Sequence, residues 1–144
     1  MDAYGHINNV VILRLVEEAR VRVIWRSEDP AENLPTAVLD PAVGVVMTVV
    51  ARLETEYLAQ MPYSRAPAEL EVWFGAIGGA SFDMCYEVYS PIGVEPRVLY
   101  ARCVVTMVTV TAADGRPTRL PDTCRDAWAD YTEDPVIFTR RSRA

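Results

Sequence analysis

Asp2-Ala3-Tyr4-Gly5-His6-Ile7-Asn8-Asn9 runs directly into Val10-Val11-Ile12-Leu13-Arg14-Leu15-Val16-Glu17-Glu18-Ala19-Arg20-Val21-Arg22-Val23-Ile24-Trp25-Arg26. A carboxylate, a glycine free to turn the backbone, the single histidine of the chain and two carboxamides thus stand at the head of a mostly apolar segment. The length of that segment and the spacing of its polar positions predict a helix over residues 9–26, in spite of its β-branched content. Apolar side chains occupy most of its circumference, so the helix is expected to be buried along much of its surface. Glu18 has Arg14 and Arg22 four residues away on either side, the spacing of an ion-paired exposed stripe. The start of such a helix carries unpaired N–H groups and the positive end of the peptide dipoles, aimed at the polar run, and this arrangement can hold an oxyanion.

Downstream the period changes. Residues 27–41 are rich in Pro, Asp, Glu and Asn and read as a loop with a short turn near Ala31 to Asn33. Val43 to Leu58 then alternates, with Arg52, Glu54 and Glu56 against Leu53, Thr55 and Tyr57, which predicts one long or bent strand ended by Met61-Pro62-Tyr63-Ser64. Glu69 to Ile77 sets Glu69, Glu71 and Trp73 on one face and Leu70, Val72 and Phe74 on the other, and Gly78-Gly79 turns the chain into a returning strand, Ser81 to Tyr89. Arg97 to Thr111 is the longest strand signal, closed by a turn at Ala113-Asp114-Gly115-Arg116-Pro117. Asp122 is expected to cap a short helix over about 122–130, before an irregular tail, 131–144. One helix followed by about four antiparallel strands predicts an α+β fold whose sheet curls around the helix. Strands this long leave open edges in a monomer, so a homodimer or homotetramer is expected.

The 144 residues are enough for one domain with one core, 1–144. A composition of 51% hydrophobic and 24% charged residues fits a folded protein without a large disordered tract. A net charge of -6 argues against nucleic acid as the main partner, since phosphate binding needs a basic stripe and the basic cluster here is the tail of Arg140, Arg141 and Arg143. All 14 basic residues are arginine, which excludes lysine chemistry such as a Schiff base. Cys85, Cys103 and Cys124 are far apart, with no Cys-x-x-Cys and no nearby histidine, so neither a disulfide framework nor a metal site is indicated. With no leader peptide and no apolar run of about 18 residues, a cytoplasmic protein without a membrane span is expected.

The polar run followed by Glu17-Glu18-Ala19-Arg20 resembles the signature of the 4-hydroxybenzoyl-CoA thioesterase branch of the hotdog-fold superfamily, Asp-x-x-x-His-Val-Asn-Asn, a spacer and Glu-Glu-Ala-Arg. The resemblance implies hydrolysis of an acyl-coenzyme A thioester to free acid and CoA, with no cofactor. It implies that Asp2 attacks the carbonyl or activates water, and that a backbone N–H near Asn9 polarises the thioester oxygen. Tyr4, Gly5, His6 and Asn8 would line the substrate, with Gly5 serving the backbone turn and Asn8 and Asn9 the helix cap. The phosphates of CoA should meet arginine, for which Arg65, Arg97 and Arg102 are candidates. Glu18 is a competing acid on the helix, with its arginine neighbours favouring the ion pair. Family members place a first strand ahead of an Asp-x-Asp, and Met1 stands where the middle residue would be, so a longer natural protein is expected. The alternative is a non-catalytic hotdog acyl-CoA-binding or assembly module.

Overall fold

The computed structural model describes Gly5 and residues 7–139; Asp2, Tyr4 and His6 lie outside the described residues. Helix α1 spans Asn9–Ile24 and buries Ile12, Val16 and Ile24, residues four and eight apart that share one face. It stops where Trp25 turns extended, at φ -102° and ψ 133°. Trp25 there bridges Leu39, and the pairing is sealed by bonds from Arg26 N–H to Leu39 C=O and from Leu39 N–H to Ile24 C=O, 2.7 and 3.0 Å. The turn anticipated in the following loop is a single 3-10 turn, Pro30–Glu32.

Four strands follow: β1 (Val46–Tyr57), β2 (Glu69–Ile77), β3 (Ser81–Tyr89) and β4 (Leu99–Thr111). They form one antiparallel sheet in the spatial order β1-β4-β3-β2. Strands adjacent in sequence pair as β2–β3 and β3–β4, but β1 and β2 lie at opposite edges. The chain from 58 to 68 therefore has to cross the whole end of the sheet, a geometry that later defines the site. Opposite residues share a face. Phe74, Met84 and Val105, and likewise Val72, Tyr86 and Cys103, are in register on the face that packs against Ile12 and Val16. In β1 the ladder shifts between Val50 and Arg52, a bulge at Ala51 that no residue pattern announces.

Helix α2 spans Asp122–Trp128. Asp122 is its first residue, not its cap. Pro121 holds the cap position and no side chain closes it, because the carboxylate of Asp122 turns to Arg119 and Arg125. The helix buries Cys124 and Trp128, and the Trp128 ring stacks on Phe74 at 4.4 Å between centroids and leans on Phe82 at 4.8 Å. From the same helix Arg125 donates to the carbonyls of Gly78 and Gly79, which ties the β2–β3 turn to α2. All three cysteines are free and buried, and burial pushes the thiol of Cys124 up to about 11.

Candidate active site at the start of helix α1

Gly5 has φ +78°, a left-handed backbone that glycine adopts without strain. The chain then straightens. Ile7 N–H donates to Met61 C=O at 2.7 Å, which pins the approach to α1 against the crossing segment 58–68. Asn8 is the helix cap, extended at φ -76° and ψ 163°, and its side-chain oxygen accepts from Val11 N–H at 3.0 Å. With Val11 and Ile12 both satisfied by Asn8, the N–H groups of Asn9 and Val10 have no hydrogen-bond partner among the described residues. They stand at the positive end of a 16-residue helix, already oriented, and that is what an oxyanion requires.

Replacing Asn8 by Ala removes the cap and leaves the N–H of Val11 only its longer bond to Asn8 C=O, 3.2 Å. The expected cost is about 1 kcal/mol of stability, read as a lower midpoint in urea denaturation, with the apolar core unchanged.

Beside this helix start lies an apolar cavity of about 490 Å³. Ile7, Val11 and Leu15 form one wall, the crossing segment with Met61, Tyr63 and Arg65 another, and Tyr100 and Val94 the far end. The crossing segment makes the cavity, since its prolines, Pro62 and Pro67, keep it irregular while it passes the end of the sheet. Arg65 is exposed and has no carboxylate partner among the described residues. Other arginines are engaged: Arg14 with Glu18 at 3.8 Å, Arg97 with Glu69 and Glu71 at 2.6 and 3.0 Å, and Arg102 with Glu56 at 3.7 Å.

Two of the three phosphate candidates therefore fall away. Arg97 is held by two carboxylates and lies 3.5 Å over the ring of Tyr89, and Arg102 shares the outward face with Glu56, away from α1. Strand alternation had fixed which residues share a face without fixing which face meets the helix. Glu18, exposed and beside Arg14, is the ion pair its spacing predicts.

One neighbour of the helix start had not been singled out. Tyr57, the last residue of β1, brings its hydroxyl to the side chain of Asn9; burial pushes its phenol up, and the hydrogen bond with Asn9 offsets part of that shift. Its position on the apolar face of the β1 alternation, with Leu53 and Thr55, was the available signal.

Residues 1–128 match the thioesterase-like superfamily. The chain belongs to this superfamily. It is 30% identical over 142 residues to the YsmA protein of Bacillus subtilis, covering 96% of this chain and 79% of that one. The structure is similar to that of the PA5185 protein from Pseudomonas aeruginosa, with a TM-score of 0.75 and 23% identity over 94% of this chain and 85% of the other. A 1,4-dihydroxy-2-naphthoyl-CoA thioesterase from Synechocystis is similar at a TM-score of 0.69 and 15% identity, over 90% and 88%. At these identities the two structures establish the fold, a mixed arrangement of helices and antiparallel sheet of the hotdog type. No helix among the described residues is long and apolar enough to cross a membrane. Membership in the superfamily, together with a polarising helix start, supports a thioester hydrolase.

Proposed function

We propose that this chain is a cytoplasmic acyl-CoA thioesterase of the 4-hydroxybenzoyl-CoA thioesterase-like branch, a single domain over 1–144 with α1 as its central helix. The observation that carries the reading is the pair of N–H groups at Asn9 and Val10 that have no partner among the described residues and open beside an apolar cavity. The carbonyl oxygen of the thioester sits on those N–H groups, and the negative charge that develops there is stabilised without rearrangement; loss of one such donor elsewhere costs about 2.7 to 4 kcal/mol of barrier. Asp2 attacks the carbonyl carbon or takes a proton from water, and the CoA thiolate leaves. Tyr4, Gly5 and His6 line the approach, the acyl group enters the cavity of Val11, Leu15 and Tyr100, and Arg65 at its wall meets a phosphate of CoA.

The working unit is a homodimer. Strand β1 is a sheet edge of 12 residues, and on its helix-side face Val50, Leu53 and Tyr57 remain 43 to 48% exposed. Pairing of β1 with β1 of a second copy satisfies the edge and covers this strip.

The test is product identity. Incubated with an acyl-CoA in H2 18O, the protein should yield CoA and free acid in equal amounts, with the heavy oxygen in the acid. Saturable CoA binding with no acid formed would instead make the chain a binding module.

A further inference from the structure

Residues 133–139 carry no helix or strand, yet they are tied to the sheet as a strap. Residues 132–139 cross the outer face of the sheet, away from α1, and meet the strands in their spatial order. At β2, Thr132 bridges Phe74, Glu133 N–H donates to Phe74 C=O at 2.9 Å, and the indole N–H of Trp73 donates to Asp134 C=O at 2.9 Å. Pro135 then passes over Gly75, where an added Cβ would lie 3.9 Å from its ring. At β3 the strap passes beside the Cys85 thiol, whose sulfur and Pro135 flank the same face of Gly75. At β4 Arg102 donates to Ile137 C=O, and at β1 the carboxylate of Glu56 accepts from the N–H and hydroxyl of Thr139 at 2.9 and 3.1 Å. The strap is extended and alternates: Val136 and Phe138 turn inward, over Asp83, Val104 and Thr106, while Ile137 is 81% exposed.

Every strand is thus held at least once, and β2 most closely. Beneath the strap lie Trp73, Cys85 and Val104, an apolar column on an otherwise charged face. A bare sheet face of this kind packs against another sheet about 10 Å away, the space the strap fills. We propose that the C-terminal strap closes the outer face of the sheet to a second copy of this chain, so that self-association is confined to the β1 edge. The anchor at its far end is the cluster of Glu56, Arg102, Ile137 and Thr139; Arg102 Nε is buried there without a hydrogen bond of its own, so the guanidinium holds the strap through its other nitrogens.

Cys85 reports the state of the strap. Of the three thiols it alone lies beneath it, since Cys103 packs in the core under α1 and Cys124 in α2. Two variants are compared with the full chain: one ending at Tyr131, and one of full length carrying Glu56→Gln and Arg102→Met, which cuts only the anchor. Diluted below the concentration at which they associate, both should raise the rate of Cys85 labelling by an aromatic disulfide by about tenfold or more while Cys103 and Cys124 stay protected. Light scattering should show a particle mass that climbs with concentration to at least twice that of the full chain. Continued protection of Cys85 in the anchor variant overturns the proposal, as does an exposed Cys85 with unchanged mass. If the shortened chain labels all three thiols it has unfolded, and the anchor variant decides alone. Neither readout depends on thioester turnover.

Discussion

Asp2→Asn lowers acyl-CoA hydrolysis by about 10² to 10⁴-fold, the range lost when a positioned proton-transfer group is removed. The substitution keeps size and shape and removes the negative charge, so neither a nucleophile nor a base remains. What remains is the helix start, where Asn8 keeps the cap and the N–H groups of Asn9 and Val10 keep their orientation, without partners among the described residues. The account therefore predicts that substrate binding persists while turnover fails: kcat falls and KM changes little. Rapid-quench measurement of kcat and equilibrium binding of the same thioester separate the two quantities. Loss of affinity with normal turnover of the bound fraction would place Asp2 in binding rather than chemistry.

Trp128→Ala is expected to be the most damaging change to the fold. The residue is fully buried, its ring stacks on Phe74 at an interplanar angle of 12°, and its indole N–H donates to Thr36 C=O at 2.8 Å. Truncation removes the stack, leaves a cavity and takes one of its two donors from the buried Thr36 carbonyl, which keeps the N–H of Val38. Removal of a buried Trp costs about 3 to 5 kcal/mol, against a total stability of about 5 to 15 kcal/mol for such domains. The urea midpoint should therefore fall steeply or the chain should not fold at all. Trp128→Phe keeps a ring against Phe74 and loses the N–H donor and part of the indole volume, so its loss should be much smaller than that of the alanine variant. Equal losses for the two variants would contradict the stacking argument. The effect reaches the sheet because Phe74 and Phe82 lie on β2 and β3, so α2 is a prop for the sheet rather than an appendage.

The elements that sequence made legible are those whose alternation or spacing is set by burial. Strands β2 and β3 run over the residues that their alternating patterns mark, with Gly78-Gly79 between them, and α1 begins at Asn9 because a carboxamide at residue 8 closes its first turn. Features set by long-range geometry were not legible. The bulge at Ala51 depends on the β4 partner, the cavity on the path from β1 to β2, and the strap on a face of the sheet that sequence alone does not assign. Arg102 shows the difference plainly: in sequence it is one more arginine in a strand, and in the fold it is a clamp on Ile137. Asp2, Tyr4 and His6 stand on the signature, and Gly5, Asn8 and Asn9 on the signature and the observed helix start together.

Thiol release by the unmodified chain from short, medium, long and aromatic acyl-CoAs tests the central claim most directly. The account predicts release of CoA from at least one class with kcat/KM of about 10⁴ M⁻¹s⁻¹ or more, within the ordinary enzymatic range. Saturable binding of all four classes, with thiol release no faster than in buffer, would contradict it.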